Sequence, residues 1–138
     1  MIAVLDIDGV LADASHRQHF LDGRPKDWDA FFAAVGDDTV IEAGHARLAE
    51  LATDHRIVLL SGRPERTRAV TQAWLTRHGI AADALVLRPD ADRRPAAAFK
   101  AQAIGGIGSP AEVRVVVDDD PAFVERLAGG GYAAELFR

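Results

Sequence analysis

The chain has 138 residues, enough for one domain of ordinary size, and its 49% apolar and 27% charged residues are the balance of a folded globular chain rather than a disordered one. It has no cysteine, which excludes disulfides, thiol nucleophiles and thiolate metal sites. Sixteen basic against 21 acidic residues give a net charge of −5, an argument against a broad nucleic-acid-coating surface, and only two of the basic residues, Lys26 and Lys100, are lysine.

No apolar run approaches the roughly 18 residues of a membrane span, and Met1–Asp6 lacks the basic start of a secretory signal, so a cytoplasmic protein is expected. Taken in order, Ile2–Leu5 predicts a first strand, apolar at every position as in a sheet covered on both faces. Residues 11–43 are too long for a turn. They predict a small cap inserted after strand 1, with a short helix over Ser15–Leu21, a turn at Asp22-Gly23-Arg24-Pro25, and a helical run through Trp28, Phe31 and Phe32 that anchors it.

A helix from Glu42 to about Thr53 leads to a strand at Ile57–Leu60. Pro64 stands where a first helical position belongs, and that helix runs to His78 with Gly79 as its stop. A strand at Ala84–Leu87 precedes a helix opened by Pro95, and Gly105-Gly106-Ile107-Gly108-Ser109 reads as the loop after it. Val113–Val117 is the next strand, Asp120 caps a helix starting at Pro121, and half-polar Tyr132–Leu136 suits an edge strand. Alternating strands and helices with short links predict a single α/β domain over 1–138, a three-layer α/β/α Rossmann-like sandwich with a parallel sheet of about five strands.

In such a sheet, right-handed crossovers bring all strand C-termini to one edge, where ligands bind. Here those ends are Asp6-Ile7-Asp8-Gly9, Ser61-Gly62-Arg63 and Asp118-Asp119-Asp120. Each alone has an ordinary reading as a turn, a helix start or a helix cap. Gathered at one edge, the carboxylates repel each other, and a hard divalent cation with oxygen ligands, Mg²⁺, relieves that repulsion most simply.

Asp6-Ile7-Asp8-Gly9-Val10-Leu11, Ser61-Gly62-Arg63, Lys100 and Asp118-Asp119 resemble the four motifs of the haloacid dehalogenase superfamily, in order and across nearly the whole chain. The resemblance implies an Mg²⁺-dependent phosphomonoester hydrolase. Asp6 would be the nucleophile that forms an aspartyl-phosphate, and Asp8 the general acid and then base, an acid that dehalogenases lack. Ser61 and the Gly62 amide would bind a phosphoryl oxygen, and Lys100 would offset charge between nucleophile and phosphoryl group. The metal would be held by Asp6, the Asp8 carbonyl and the acidic pair, with Asp119 the direct ligand and Asp118 acting through water.

Within the superfamily the chain is similar to the phosphatase domain of phage-type polynucleotide kinase/3′-phosphatase. The likeness lies in Gly23-Arg24-Pro25, Asp27 and Asp38 of the cap, in Thr67, Arg68 and Trp74 after the second motif, and in Arg94 six residues before Lys100. It implies a 3′-phosphorylated nucleotide or nucleic-acid end as substrate, with 5′-nucleotides or sugar phosphates as the alternative. Arg63, Arg94 and neighbouring arginines are candidate contacts to further phosphate or nucleoside. No Gly-x-x-x-x-Gly-Lys-Ser/Thr loop is present, so a kinase partner would be a separate chain.

Asp120 and Val10 depart from the subgroup and family patterns, which tend to have Arg and Thr there. A non-catalytic phospho-acceptor of the receiver type, or an idle partner subunit, is the reading from another class. A receiver would place its acceptor Asp after the third strand, where this chain has Arg88-Pro89.

Overall fold

The computed structural model describes all of residues 1–138. Five parallel strands form the central sheet: β1 (Ile2–Leu5), β4 (Arg56–Pro64), β5 (Ala84–Arg88), β6 (Val113–Asp118) and β7 (Ala134–Leu136), in the order β5-β4-β1-β6-β7. Alternate residues of each strand feed opposite faces, as the pleat requires. Ala3, Leu5, Ile57 and Leu59 pack with Leu48, Leu51, Trp74 and Leu75 from helices α2 (Glu42–Ala52) and α3 (Arg68–Arg77). Val4, Val58, Leu60 and Val116 pack with Phe99, Ile104, Phe123 and Leu127 from α4 (Ala96–Ile107) and α5 (Pro121–Gly129). The result is the predicted three-layer sandwich, and no helix is long and apolar enough to cross a membrane.

The chain builds outward from β1 through β4 to β5 and then returns to place β6 on the other side of β1. The ends of β1 and β6 therefore flank the point where strand order reverses, which is where open α/β sheets leave a crevice.

Several boundaries differ from those predicted. Ser61-Gly62-Arg63 does not leave the sheet: β4 runs on to Pro64, which pairs with Arg88 across an irregular register after Leu60. Such bulges re-aim side chains, and this one turns Arg63 inward. Pro64 ends the strand, and the next helix opens as a 3-10 turn over Glu65–Thr67. Gly105-Gly106-Ile107 belongs to α4 rather than to a loop. Two glycines cost a helix about 1 kcal/mol each, and the packing of Ile104 and Ile107 against the sheet core offsets this. Asp120 and Pro121 behave as predicted, with the Asp120 side chain accepting from the Ala122 amide.

The cap comprises a 3-10 helix (Ser15–Leu21), α1 (Trp28–Ala33), a second 3-10 turn (Val35–Asp37) and a two-stranded antiparallel ribbon. The ribbon, β2 (Ala12–Asp13) with β3 (Thr39–Val40), was not predicted, and it closes the base of the cap. Phe31, Phe32 and Val35 form the cap's own small core, with Phe20 and Leu21 packed against it.

Candidate active site

Asp6 follows β1 directly, and its amide donates to the Val117 carbonyl, so the β1–β6 pairing sets its place. One carboxylate oxygen, Oδ1, accepts from the Ile7 amide at 2.8 Å and lies 3.0 Å from Lys100 Nζ. Oδ2 takes no protein donor. Lys100 reaches in from α4, is buried, and also donates to Asp118 Oδ2 at 2.8 Å. Burial works against its ammonium, but Asp6 and Asp118 outweigh that and raise its pKa. Burial, together with the nearby Asp118 and Asp8 carboxylates, pushes Asp6 well up, with Lys100 pulling the other way.

Asp119 stands beside them in a position that only glycine at residue 9 permits. Gly9 has φ +83°, and a Cβ there would lie 1.9 Å from Asp119 Oδ2. Asp6, Asp118 and Asp119 can each bring one oxygen within 4.8 Å of the others. Desolvation and the adjoining Asp118 carboxylate push Asp119 up. Three carboxylates thus face a single ammonium, an excess of negative charge with hard oxygen donors, and this fits Mg²⁺. Asp118 already holds Lys100 and the Asp120 amide, whereas Asp119 takes neither the lysine nor another residue's amide and lies against the Asp6 carboxyl. The backbone carbonyl of Asp8 accepts no hydrogen bond from the protein backbone.

The second acid is held by a different set. Asp8 Oδ1 accepts from Arg17 Nη2 at 2.7 Å and from Arg63 Nη2 at 2.8 Å. Behind it, Asp38 accepts from Arg17 Nε and Nη2, both at 2.8 Å, and from Arg63 Nη2 at 3.0 Å, while His16 Nε2 lies 2.6 Å away. Arg63 Nη1 donates to Thr71, and the Trp74 indole donates to the Asp38 carbonyl. Two guanidiniums and two carboxylates therefore form one closed cluster that ties the cap to β4 and α3. Burial alone would raise Asp8, but Arg63 and Arg17 prevail and hold its carboxyl below the ordinary value.

All the expected site residues except Ser61 line one cavity of about 900 Å³. Ser61 is fully buried, and its Oγ accepts from the Arg63 amide, leaving the hydroxyl hydrogen to donate elsewhere. Gly62 lines the wall against Ala96, where a Cβ would come within 3.0 Å. Arg63 differs from expectation. Its side chain has no exposed surface, and every nitrogen is engaged by Asp8, Asp38 or Thr71, so it orients Asp8 instead of reaching for substrate. Arg94 stays at the mouth, its guanidinium forked onto Asp92. Arg17 was missed as a site residue, because nothing in Ser15-His16-Arg17 distinguishes it from a solvated cap helix. The only available signal was that so many carboxylates need more than one cation.

A family model described as the polynucleotide kinase PNKP phosphatase domain matches residues 1–131. The fold is similar to that of a chain in the solved structure of the Pnkp1/Rnl/Hen1 RNA repair complex, with TM-score 0.83 at 19% identity over 99% of this chain and 42% of the other. It is also similar to a haloacid dehalogenase-like hydrolase from Streptococcus pneumoniae (TM-score 0.68, 13% identity, 96% of this chain and 82% of the other). A third likeness is to a haloacid dehalogenase family enzyme from Bacteroides thetaiotaomicron in complex with magnesium and inorganic phosphate (TM-score 0.61, 14% identity, 99% and 93%). The chain spans less than half the length of the chains it resembles in the Pnkp1 structures. No curated protein sequence matches it at a significant level. With the model covering almost all of its length and the motifs meeting in one cavity, the chain belongs to the PNKP phosphatase-domain family of haloacid dehalogenase superfamily phosphatases.

Proposed function

We propose that the chain is an Mg²⁺-dependent phosphomonoesterase that works through an aspartyl-phosphate on Asp6, and that its substrates are 3′-phosphorylated nucleotides or nucleic-acid ends. One observation carries the reading: the Asp6 carboxylate is fixed through Oδ1 by Lys100 and the Ile7 amide, with Oδ2 free and Asp8 lining the same cavity. Asp6 attacks phosphorus, a P–O bond to its carboxylate forms, and the bond to the leaving oxygen breaks as Asp8 supplies that oxygen's proton. In the second half Asp8 takes a proton from water as the water attacks phosphorus, the Asp6–phosphate bond breaks, and inorganic phosphate leaves.

The arginine pair keeps Asp8 ionised in the free protein, which suits the base half as it stands. A phosphate dianion placed beside Asp8 favours the protonated form that the acid half needs. Asp6, Asp119 and the Asp8 carbonyl would hold Mg²⁺, with Asp118 behind them. Bound there, the ion neutralises charge on the phosphoryl oxygens and on the carboxylates around them.

The nucleic-acid part of the proposal rests on the family match and on the size of the cavity, which lies toward the upper end of small-molecule sites and exceeds what a phosphate alone requires. Pnkp1 is seen in a complex with Rnl and Hen1. A kinase acting in the same step as this chain would lie outside these 138 residues, which hold no phosphate-cradling kinase loop.

The test is phosphate release from a short oligonucleotide carrying either a 3′- or a 5′-phosphate, with Mg²⁺ and with a chelator. Release is expected from the 3′ form with Mg²⁺ and is lost in Asp6→Asn. Equal turnover of the two isomers would replace the 3′ reading with a 5′-nucleotide or small-molecule phosphatase. Undiminished release by Asp6→Asn would remove the nucleophile.

A further inference from the structure

The cavity has two walls of different chemistry. Charged side chains, Arg88, Arg93 and Arg94 interspersed with Asp90 and Asp92, come from the segment before α4, while the cap brings the aromatic rings, with Lys26 and the carboxylates of Asp27 and Asp29 around them. Phe31 and Phe32 are buried and supply the cap's core with Val35, so they account for its anchoring. Trp28 packs on them only in part: 46% of its surface is exposed. The other large exposed apolar residues, Met1 and Val70, lie outside the cavity.

The indole is held in place without being covered. It lies nearly parallel to the Phe32 ring (22°, centroids 5.8 Å apart) and edge-on to Phe31 (86°, 5.7 Å). Lys26 Nζ lies over the indole ring, 5.8 Å from its centroid, in a cation–π contact, and makes no ion pair with a carboxylate. A part-exposed aromatic ring with a cation on it that no carboxylate neutralises, in the same cavity as the nucleophile, is the combination that binds a base together with the phosphate next to it, the ammonium moving from the ring to the phosphate. The part of the indole that packs on Phe31 and Phe32 serves the cap, but the 46% left exposed keeps apolar surface in water and gains nothing for the fold.

We propose that Trp28 is the stacking platform for the base of the terminal nucleotide and that Lys26 takes the neighbouring phosphodiester. Trp28 thereby selects substrates whose leaving group is a nucleoside. This rests on the 3′-phosphate reading above and adds to it a residue that determines specificity. The selection is independent of base identity, because every base offers a π-face.

Two measurements on the full chain test this. In wild type, kcat/KM for a 3′-phosphorylated oligonucleotide should exceed that for the same oligonucleotide with an abasic terminal residue by roughly 5- to 150-fold. The ratio should fall toward one in Trp28→Ala and be largely kept in Trp28→Phe. Because it is a ratio within one protein, a general loss of activity does not imitate it. In Asp6→Asn with Mg²⁺, the 3′-phosphorylated oligonucleotide should quench tryptophan fluorescence and the abasic form should not. Trp74, the other tryptophan, is fully buried, so the quench reports Trp28. Turnover of both substrates with equal kcat/KM, equal quenching by both, or a ratio unchanged in Trp28→Ala would overturn the stacking role alone. Turnover of neither would overturn the 3′-phosphate reading and this inference with it.

Discussion

Asp38 has no exposed side-chain surface, and the cluster around it balances only as a whole: Arg17 and Arg63 against Asp8 and Asp38. Asp38→Asn keeps the shape but removes one negative charge, and it sets an amide N–H₂ against guanidinium N–H groups where an oxygen now accepts. Arg17 has no route to water, so the surplus positive charge stays buried. Breaking one partner out of a buried ion cluster costs about 3–5 kcal/mol, a large part of the 5–15 kcal/mol that stabilises a typical domain. At about 3 °C per kcal/mol for a chain of this size, the melting temperature should fall by about 10–15 °C.

Thermal unfolding followed by circular dichroism measures the fall, and denaturant titration gives the free energy directly. Asp8 also loses the support behind its clamp, so kcat should drop while KM changes little. In a double-mutant cycle with Arg17→Met, the two losses should overlap by at least about 1 kcal/mol, since each removes the other's partner. A melting shift below about 3 °C, or strict additivity with Arg17→Met, would show that the cluster is not the buried charge balance described.

Other substitutions probe the remaining parts of the site. Lys100→Ala leaves Asp6 and Asp118 without their ammonium, so kcat should fall by about 100-fold or more, measured as phosphate release at saturating Mg²⁺; full activity would dismiss Lys100 from the reaction. Arg63→Lys cannot span Asp8, Asp38 and Thr71 with a single ammonium. Its steady-state kinetics should show a lower kcat at nearly constant KM, whereas a rise in KM alone would return Arg63 to substrate contact. Asp119→Asn should raise the Mg²⁺ concentration for half-maximal activity more than about tenfold. The same change relieves like-charge crowding, so the metal-free protein should melt at a higher temperature than wild type, as scanning calorimetry would show.

The strand ends were legible in the sequence because their signals are local. An apolar run followed by Asp6-Ile7-Asp8-Gly9 or by Asp118-Asp119-Asp120 marks where a buried strand meets the ligand edge, and crossover handedness then brings those ends together without further information. The scarcity of lysine singled out Lys100 for the charge-offsetting role, and the structure places it 3.0 Å from Asp6. Boundaries were less legible where tertiary packing overrode local preference. The glycines at 105 and 106 remain helical because Ile104 is buried in the sheet core and half-buried Ile107 packs against it, and Pro64 remains in β4 because Arg88 pairs with it.

What the sequence determined by itself was the α/β architecture and the acid set at the crest of the sheet, because periodicity and strand-end chemistry are properties of neighbouring residues; the role of Lys100 came from the family resemblance, with composition leaving few lysines to fill it. Only the tertiary structure decided which of many arginines serve Asp8, that Asp38 stands behind them, and that Trp28 parts company with Phe31 and Phe32. Asp8 and Arg63 lie 55 positions apart in the chain, and Arg17 and Asp38 lie 21 apart. A guanidinium has no period or turn preference that names its partner. The choice falls to whichever carboxylate the folded backbone leaves beside it, away from water, where an unpaired charge is too costly to remain.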